Sequence, residues 1–327
     1  MISQQSSASP SVGSIPAAAI SSELPSALVA PLTDNQHLVT MISDVLQLPR
    51  DEVGRLLYEE EIALGAYQRR DAERWGIEPG VWNAKLIEFY RNTNMGIFGN
   101  PVWNRRAEKL ELRAWIGRYL GKISQAPLDL LTVGDGSGFD SLYFALCGHR
   151  VTYSEESRAS IAFARRMFTE SNVPVRITDD LAKESQEAFD VVVCLDVLEH
   201  IPDPPAFVKQ LTGYLRPGGR LIVHAPFFFV GDLNPTHLTS NRKYSGDLNA
   251  LYSSNGLRLV DGRFWWDPIV LVKPGAQPVR DRTTRIALLK ISGLVLALAR
   301  WWNWPHCRVA TRAMQKRETR WLKGLEP

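Results

Sequence analysis

From Pro127 onward, short apolar runs alternate with amphipathic stretches, and this alternation constrains the fold more than any other feature of the chain. Leu128–Val133, His149–Ser154, Val175–Thr178, Phe189–Cys194 and Arg220–His224 read as strands, and the most apolar of them suit a sheet buried on both faces. Helical periodicity fills the gaps at Phe139–Cys147, Ser157–Ser171 and Pro204–Leu215. A helix near Tyr244–Ser254 and two late strands, Leu257–Asp261 and Pro268–Lys273, follow. Strand and helix alternating at this range build right-handed βαβ units, hence an α/β, doubly wound parallel sheet.

The flanking regions differ in kind. Residues 1–35 are rich in Ser, Ala and Pro with almost no charge, as expected of a disordered leader. No Lys or Arg precedes Arg50, so the basic start of a secretory signal is missing. From 36 to 125 the pattern is helical: Leu56, Leu57, Ile62 and Tyr67 fit one helix, and Leu110, Leu112, Trp115, Ile116 and Tyr119 another. This segment carries no recognisable chemical motif and is expected to form a helical cap on the domain at 126–275. Cys147, Cys194 and Cys307 are scattered without metal-ligand spacing, which favours a reducing, cytoplasmic setting over a disulfide framework.

The first strand runs into Gly134-Asp135-Gly136-Ser137-Gly138. Alternate glycines let a backbone turn tightly and bring a ligand against main-chain N–H groups at a helix N-terminus. The sixth position of a dinucleotide fingerprint needs a small residue; Phe139 stands there, which argues against a dehydrogenase. Glu155, at the end of the second strand, is placed to accept hydrogen bonds from ribose hydroxyls, or to favour the dipole of the next helix with Glu156. Asp179 and Asp180 follow the third strand, where an acid can accept from an exocyclic amine or simply sit in a solvated loop.

These segments, with Phe189–His200 (FDVVVCLDVLEH) and Leu215–Val223 (LRPGGRLIV), follow one another at intervals that resemble a class I S-adenosylmethionine (SAM)-dependent methyltransferase. The nearest flavour is the branch containing ubiquinone-biosynthesis O-methyltransferases. The resemblance covers roughly Leu128 to Lys273. It implies a Rossmann-like, seven-stranded sheet with an antiparallel last strand. It also implies SAM as cofactor, with Gly134, Gly136 and Gly138 against the methionine moiety, Glu155 on the ribose and Asp179 or Asp180 on adenine. The backbone around Cys194 and Leu195 would line the site beside the reactive methyl. The sequence departs from the family at Thr132, where an acid is usual, and at Asp135, where a small or apolar residue is common. Either Asp135 substitutes electrostatically, or SAM is held less tightly.

Asp196, Glu199 and His200 stand at i, i+3 and i+4, so one helical face would present all three to a divalent ion such as Mg²⁺ or Mn²⁺. The spacing is similar to the metal site of the ubiquinone O-methyltransferases and of small-RNA 2′-O-methyltransferases. Without a metal, His200 or His237 is the candidate general base. His224 reads as a satisfied strand-end residue, and Phe227–Phe229 as packing over the sheet or lining an apolar pocket. The expected activity is SAM-dependent O-methylation of a small molecule, lipid or glycan precursor. The rivals are a non-catalytic methyltransferase-fold binding module and a metal-assisted RNA 2′-O-methyltransferase.

The charge is unevenly distributed. Residues 280–327 hold 11 Lys and Arg against 3 Asp and Glu, a net of +8 that leaves −5 for the rest of a chain totalling +3. Ile286–Ala299 is apolar but too short to cross a bilayer, which takes about 20 residues. As a helix it puts Lys290, Gly293, Ala297 and Arg300 on one narrow face. Trp301, Trp302 and Trp304 follow, then Arg308, Arg312, Lys316, Arg317, Arg320 and Lys323. Tryptophans beside a basic stretch favour an anionic membrane surface over nucleic acid, peripheral at the inner membrane face. The other reading packs this helix on the N-terminal cap.

Overall fold

The strands of the domain sort their side chains in two directions, and the two hydrophobic cores follow from that. In the computed structural model, which describes residues 24–230, 234–275, 283–301 and 319–326, seven strands form one sheet. They are β1 (Asp129–Val133), β2 (Arg150–Ser154), β3 (Val175–Thr178), β4 (Phe189–Leu195), β5 (Leu215–His224), β6 (Arg258–Gly262) and β7 (Ile269–Val272). Their order is β3-β2-β1-β4-β5-β7-β6; β1 to β5 pair in parallel, and β7 runs antiparallel to both neighbours. The doubly wound sheet with a reversed strand near one edge is therefore present as expected.

Because successive strand residues point to opposite faces, Leu130, Val191, Val193 and Ile222 join one core, while Leu131, Val192, Cys194, Leu221 and Val223 join the other. The first core is closed by helices from both sides of the glycine turn. These are α1 (Asn35–Leu46), α2 (Arg50–Ile62), α5 (Met95–Asn104), α6 (Ala107–Ile123), α7 (Phe139–Leu146) and α8 (Arg158–Glu170), while α3 (Ala66–Trp75) and α4 (Ala84–Asn92) bury Ala72, Leu86 and Phe89 in a third cluster with Leu238. Of these, α1, α2, α5 and α6 contribute Leu38, Leu57, Phe98 and Ile116 to the same core as the sheet. The second core lies under α9 (Pro204–Tyr214), the short α10 (Leu248–Leu251) and α11 (Thr283–Ala299); α12 (Thr319–Leu322) ends the described chain.

Three local expectations change. Leu56 and Tyr67 belong to different helices, because Gly65 takes φ +82° and the buried Glu60 carboxylate accepts from the N–H groups of Gly65 and Tyr67 at 2.6 and 2.7 Å. The helix expected over 244–254 is a 3₁₀ turn at Thr239–Tyr244 followed by α10. On α11, Gly293 and Ser292 face inward, where Trp265 N donates to Ser292 Oγ at 2.7 Å, so the expected narrow face is split: Gly293 is packed while Lys290 is exposed.

The chain end is not a free tail. The Asn35 side chain donates to the carbonyls of Trp321 and Lys323 at 2.9 and 2.8 Å, and the Arg105 guanidinium lies 4.3 Å from the Trp321 ring centre. Leu325 is buried in the first core. Residues 1–23 of the leader, and Trp302, Trp304, Cys307, Arg308, Arg312, Lys316 and Arg317, lie outside the described residues.

Candidate active site

The glycines after β1 have separate jobs. Gly134, Gly136 and Gly138 all adopt left-handed backbone, with φ of +67°, +57° and +84°. A Cβ on Gly134 would sit 2.5 Å from Val197 Cγ2, and one on Gly136 would sit 2.7 Å from Asn100 Nδ2. Both residues line a cavity of about 790 Å³ that opens above the ends of β1 and β4. Gly138 does not line it. A Cβ there would meet Phe168 Cζ at 2.8 Å and Ala164 Cβ at 2.9 Å, so this glycine lets α8 pack on the turn.

Asp135 is turned away from the cavity. Its carboxylate caps α7, accepting from Asp140 N at 3.2 Å, Ser141 N at 2.7 Å and Ser141 Oγ at 2.6 Å. Thr132 Oγ1 lies 2.6 Å from the same Ser141 hydroxyl, so the two unusual residues of the turn share one buried network. Burial, then the neighbouring Asp140 charge, pushes the Asp135 carboxyl up to about 7. Its side chain is spent on the helix start.

Glu155 does face the cavity. One oxygen accepts from Gly136 N at 2.9 Å, and the other from Glu156 N and Ser157 N at 2.9 Å each, so one carboxylate ties the glycine turn to the start of α8. The residue thus supports the start of α8 and lies on the cavity wall. Asp179 is exposed and Asp180 caps a 3₁₀ turn through Ala182 N; the cavity wall at this edge is formed by Leu181. Cys194 and Leu195 are buried within β4, and the lining begins at Asp196 and Val197.

The segment after β4 is not the α-helix that the i, i+3, i+4 spacing suggests. Asp196 has φ +59°, and Leu198–His200 form a single 3₁₀ turn, so Asp196 points away from the other two. Its carboxylate pairs with His224 Nδ1 at 2.6 Å, accepts from Trp103 Nε1 at 3.1 Å and lies 3.4 Å from Lys109 Nζ. Burial opposes its charge, but the His224 and Lys109 cations outweigh that and hold Asp196 well below the usual carboxylate range. For His224 burial works the other way, and the Asp196 carboxylate overcomes it, raising the imidazole to about 9. His224 is therefore a charged member of the cavity wall, more than a satisfied strand-end residue.

What gathers instead is Glu199, His200 and His237, each with one potential ligand atom within 4.8 Å of the others'. His200 Nδ1 lies 3.0 Å from both the Thr236 carbonyl and the Tyr90 hydroxyl, and His237 Nδ1 lies 2.6 Å from the Phe229 carbonyl. A carbonyl oxygen only accepts, so both Nδ1 atoms carry hydrogen and both Nε2 atoms keep a lone pair. Burial lowers both imidazoles, His237 to about 3 with help from His200. Glu199 is 1% exposed, and neither carboxyl oxygen has a hydrogen-bond partner; burial and the Asp196 charge raise it to about 8. The turn is held by Asn241, whose amide donates to the carbonyls of Leu198, Glu199 and Ile201.

The N-terminal helices, silent in the sequence, supply a whole wall. Gln68, Tyr90, Asn100, Trp103 and Lys109 all line the cavity. Lys109 also pairs with Asp140 at 3.0 Å, and the Asn100 side chain accepts from Ser137 N at 3.2 Å. Of the three phenylalanines after β5, Phe227 packs in the second core while Phe228 and Phe229 line the cavity.

Residues 103–258 match a family described as a methyltransferase domain. Ubiquinone biosynthesis O-methyltransferase of Pseudomonas savastanoi is 35% identical over 144 residues, 41% of this chain and 59% of that enzyme. The enzyme of the same name from Pseudomonas syringae pv. tomato is 40% identical over 110 residues, 32% of this chain and 45% of its own. The chain thus spans at most about three fifths of the length of these two relatives. A solved 1,6-didemethyltoxoflavin-N1-methyltransferase from Burkholderia thailandensis superposes with a TM-score of 0.40 and 21% identity over 64% of this chain and 92% of that one. Residues 103–258, just under half of the chain, thus match a methyltransferase domain, and the strand order and glycine turn fit that match.

Proposed function

We propose that the protein transfers a methyl group from SAM to a hydroxyl of a small-molecule, lipid or lipid-linked acceptor, working beside an anionic membrane surface. One observation carries this: a single cavity is lined on one side by the glycine turn and Glu155, and on another by Glu199, His200 and His237. The first wall suits the cofactor. Gly134 and Gly136 line the cavity where a Cβ would collide with Val197 or Asn100, and the Glu155 oxygens keep acceptor capacity for ribose hydroxyls beyond their backbone bonds. When bound, SAM supplies a methyl carbon activated by its sulfonium. The chain's part is to align acceptor and methyl and to exclude water.

At the second wall, an Nε2 lone pair accepts the hydrogen bond of the acceptor hydroxyl. His200 or His237, whose Nδ1 hydrogens are already given to carbonyls, then takes that proton on its free ring nitrogen. The same trio fits a divalent cation, because a ligand atom from each of two imidazoles and an unpartnered buried carboxylate lie within 4.8 Å of one another. Glu199, His200 and His237 would hold it, replacing the set Asp196, Glu199 and His200 suggested by spacing. Two nitrogens favour Mn²⁺ over Mg²⁺, and such an ion would acidify an acceptor hydroxyl. An activity that depends on Mn²⁺ and on RNA would support the RNA 2′-O-methyltransferase reading instead.

The test is methyl transfer from labelled SAM to cellular extracts, with mass spectrometry of the product. His237→Ala should abolish transfer while leaving S-adenosylhomocysteine (SAH) binding intact. A wild-type chain that binds SAH yet labels nothing would favour the binding-module alternative.

A further inference from the structure

Helix α11 is apolar on two opposite faces, and the fold uses one of them. Leu289, Ser292, Gly293 and Leu296 are buried against the Phe264–Trp266 turn and the loop at Ser245–Gly246. Trp266 Nε1 donates to the Leu289 carbonyl at 3.0 Å, which fixes the helix rotation. The opposite face presents Leu288, Ile291, Leu294, Leu298 and Trp301, at 54%, 51%, 67%, 69% and 76% exposure. Phe264 and Trp265, 46% and 44% exposed, stack edge to face on the turn that α11 packs against. Outside this patch the exposed large apolar residues among those described are Val81, Trp82 and Leu146. A stripe of this size on one helix marks a surface that is covered in use.

We infer that the outer face of α11, together with Phe264 and Trp265, docks on an anionic lipid bilayer; this rests on the membrane setting proposed above and gives it a location. Charge decides between bilayer and a second copy of the chain. From Thr283 to Trp301 there are three basic residues and no acidic one, and the whole of 280–327 is +8. Arg285 is paired with Asp261, whereas Lys290 is exposed beside the stripe. A two-fold dimer through this face would bring like charges together, whereas anionic headgroups neutralise them. Trp301, with the Arg300 guanidinium 5.4 Å from its ring centre, ends the stripe with the side-chain pair suited to the headgroup layer. No described helix is long and apolar enough to cross a membrane, so α11 would lie in the interface. Trp265 also lines the cavity, so docking brings the rim of the active site against the lipid.

The experiment is flotation of the full chain with vesicles of phosphatidylcholine and phosphatidylglycerol, against phosphatidylcholine alone, with SAH calorimetry on the same samples. The wild type should float with the anionic vesicles and release at high salt. The pair Leu294→Ser with Leu298→Ser should lower partitioning by about tenfold or more while keeping wild-type thermal stability and SAH binding. Leu146→Ser, exposed but outside the patch, should float as the wild type does. No flotation of the wild type, or undiminished flotation of the double variant, would overturn the inference. So would a wild-type dimer that ignores vesicles and dissociates in the double variant, because the occupant is then a second copy. Flotation without SAH binding would uphold the surface and strike only the enzymatic reading.

Discussion

Gly138→Ala separates the two roles that the glycine turn combines. At φ +84° an alanine pays for left-handed backbone, about 1–2 kcal/mol. Its Cβ would also sit 2.8 Å from Phe168 Cζ and 2.9 Å from Ala164 Cβ, both in the packed seam between the turn and α8. Overpacking of that kind costs about 1–3 kcal/mol, so the total loss is about 2–5 kcal/mol. For a domain of this size that lowers the melting temperature by roughly 4–20 °C. Because Gly138 does not line the cavity, SAH affinity of the folded fraction should change less than threefold or so, which is under about 0.7 kcal/mol. Thermal unfolding with and without SAH, alongside calorimetry well below the transition, reads both quantities. A variant with wild-type melting temperature and sharply weakened SAH binding would refute the division of labour and return Gly138 to the cofactor.

Three other perturbations probe the surrounding framework. Lys109→Met removes the buried cation between Asp140 and Asp196; stability measured in urea should fall by about 3–5 kcal/mol even though Arg113 and His224 remain as partners. His149 is buried and neutral, accepting from Leu128 N at 3.3 Å, and its imidazole is lowered to about 4. The unfolded chain binds this proton below about pH 6.5 and the folded chain does not, so stability is lost as pH falls from about 6.5 to about 4, by up to about 3 kcal/mol. His149→Gln should flatten that acid limb in urea titrations at about pH 7 and about pH 5. Trp321→Ala deletes a buried ring stacked on Arg105 and should cost about 2–4 kcal/mol by the same assay, with SAH affinity unchanged.

The sheet was legible because burial on both faces forces near-continuous apolar runs, and every strand from β1 to β7 lies within a residue or two of its expected position apart from the earlier start of β5. The place of Glu155 on the cavity wall was legible because it follows the strand beside the glycine turn, to which it bonds through Gly136 N. Asp196 does not group with Glu199 and His200 for a local reason: the i, i+3, i+4 argument presumes α-helix, whereas Asp196 is left-handed and the next residues form a 3₁₀ turn. His224, Trp103 and Lys109 carry no motif, since their meaning depends on Asp196, which lies 28, 93 and 87 residues away in sequence. The outward stripe of α11 was hidden for the converse reason. Beside its narrow face of Lys290, Gly293, Ala297 and Arg300, the wide apolar remainder stays undivided in sequence until Trp266 and Gly293 fix which part is buried.

Calorimetric titration of SAH into the full chain and into Glu155→Ala tests the central claim most directly, because that carboxylate joins the glycine turn to the cavity wall. The account predicts one-to-one binding by the wild type and a loss of about tenfold or more in the variant, the free energy of one or two charge-assisted hydrogen bonds. A wild-type chain that binds no SAH, or a variant that binds it equally well, would contradict it.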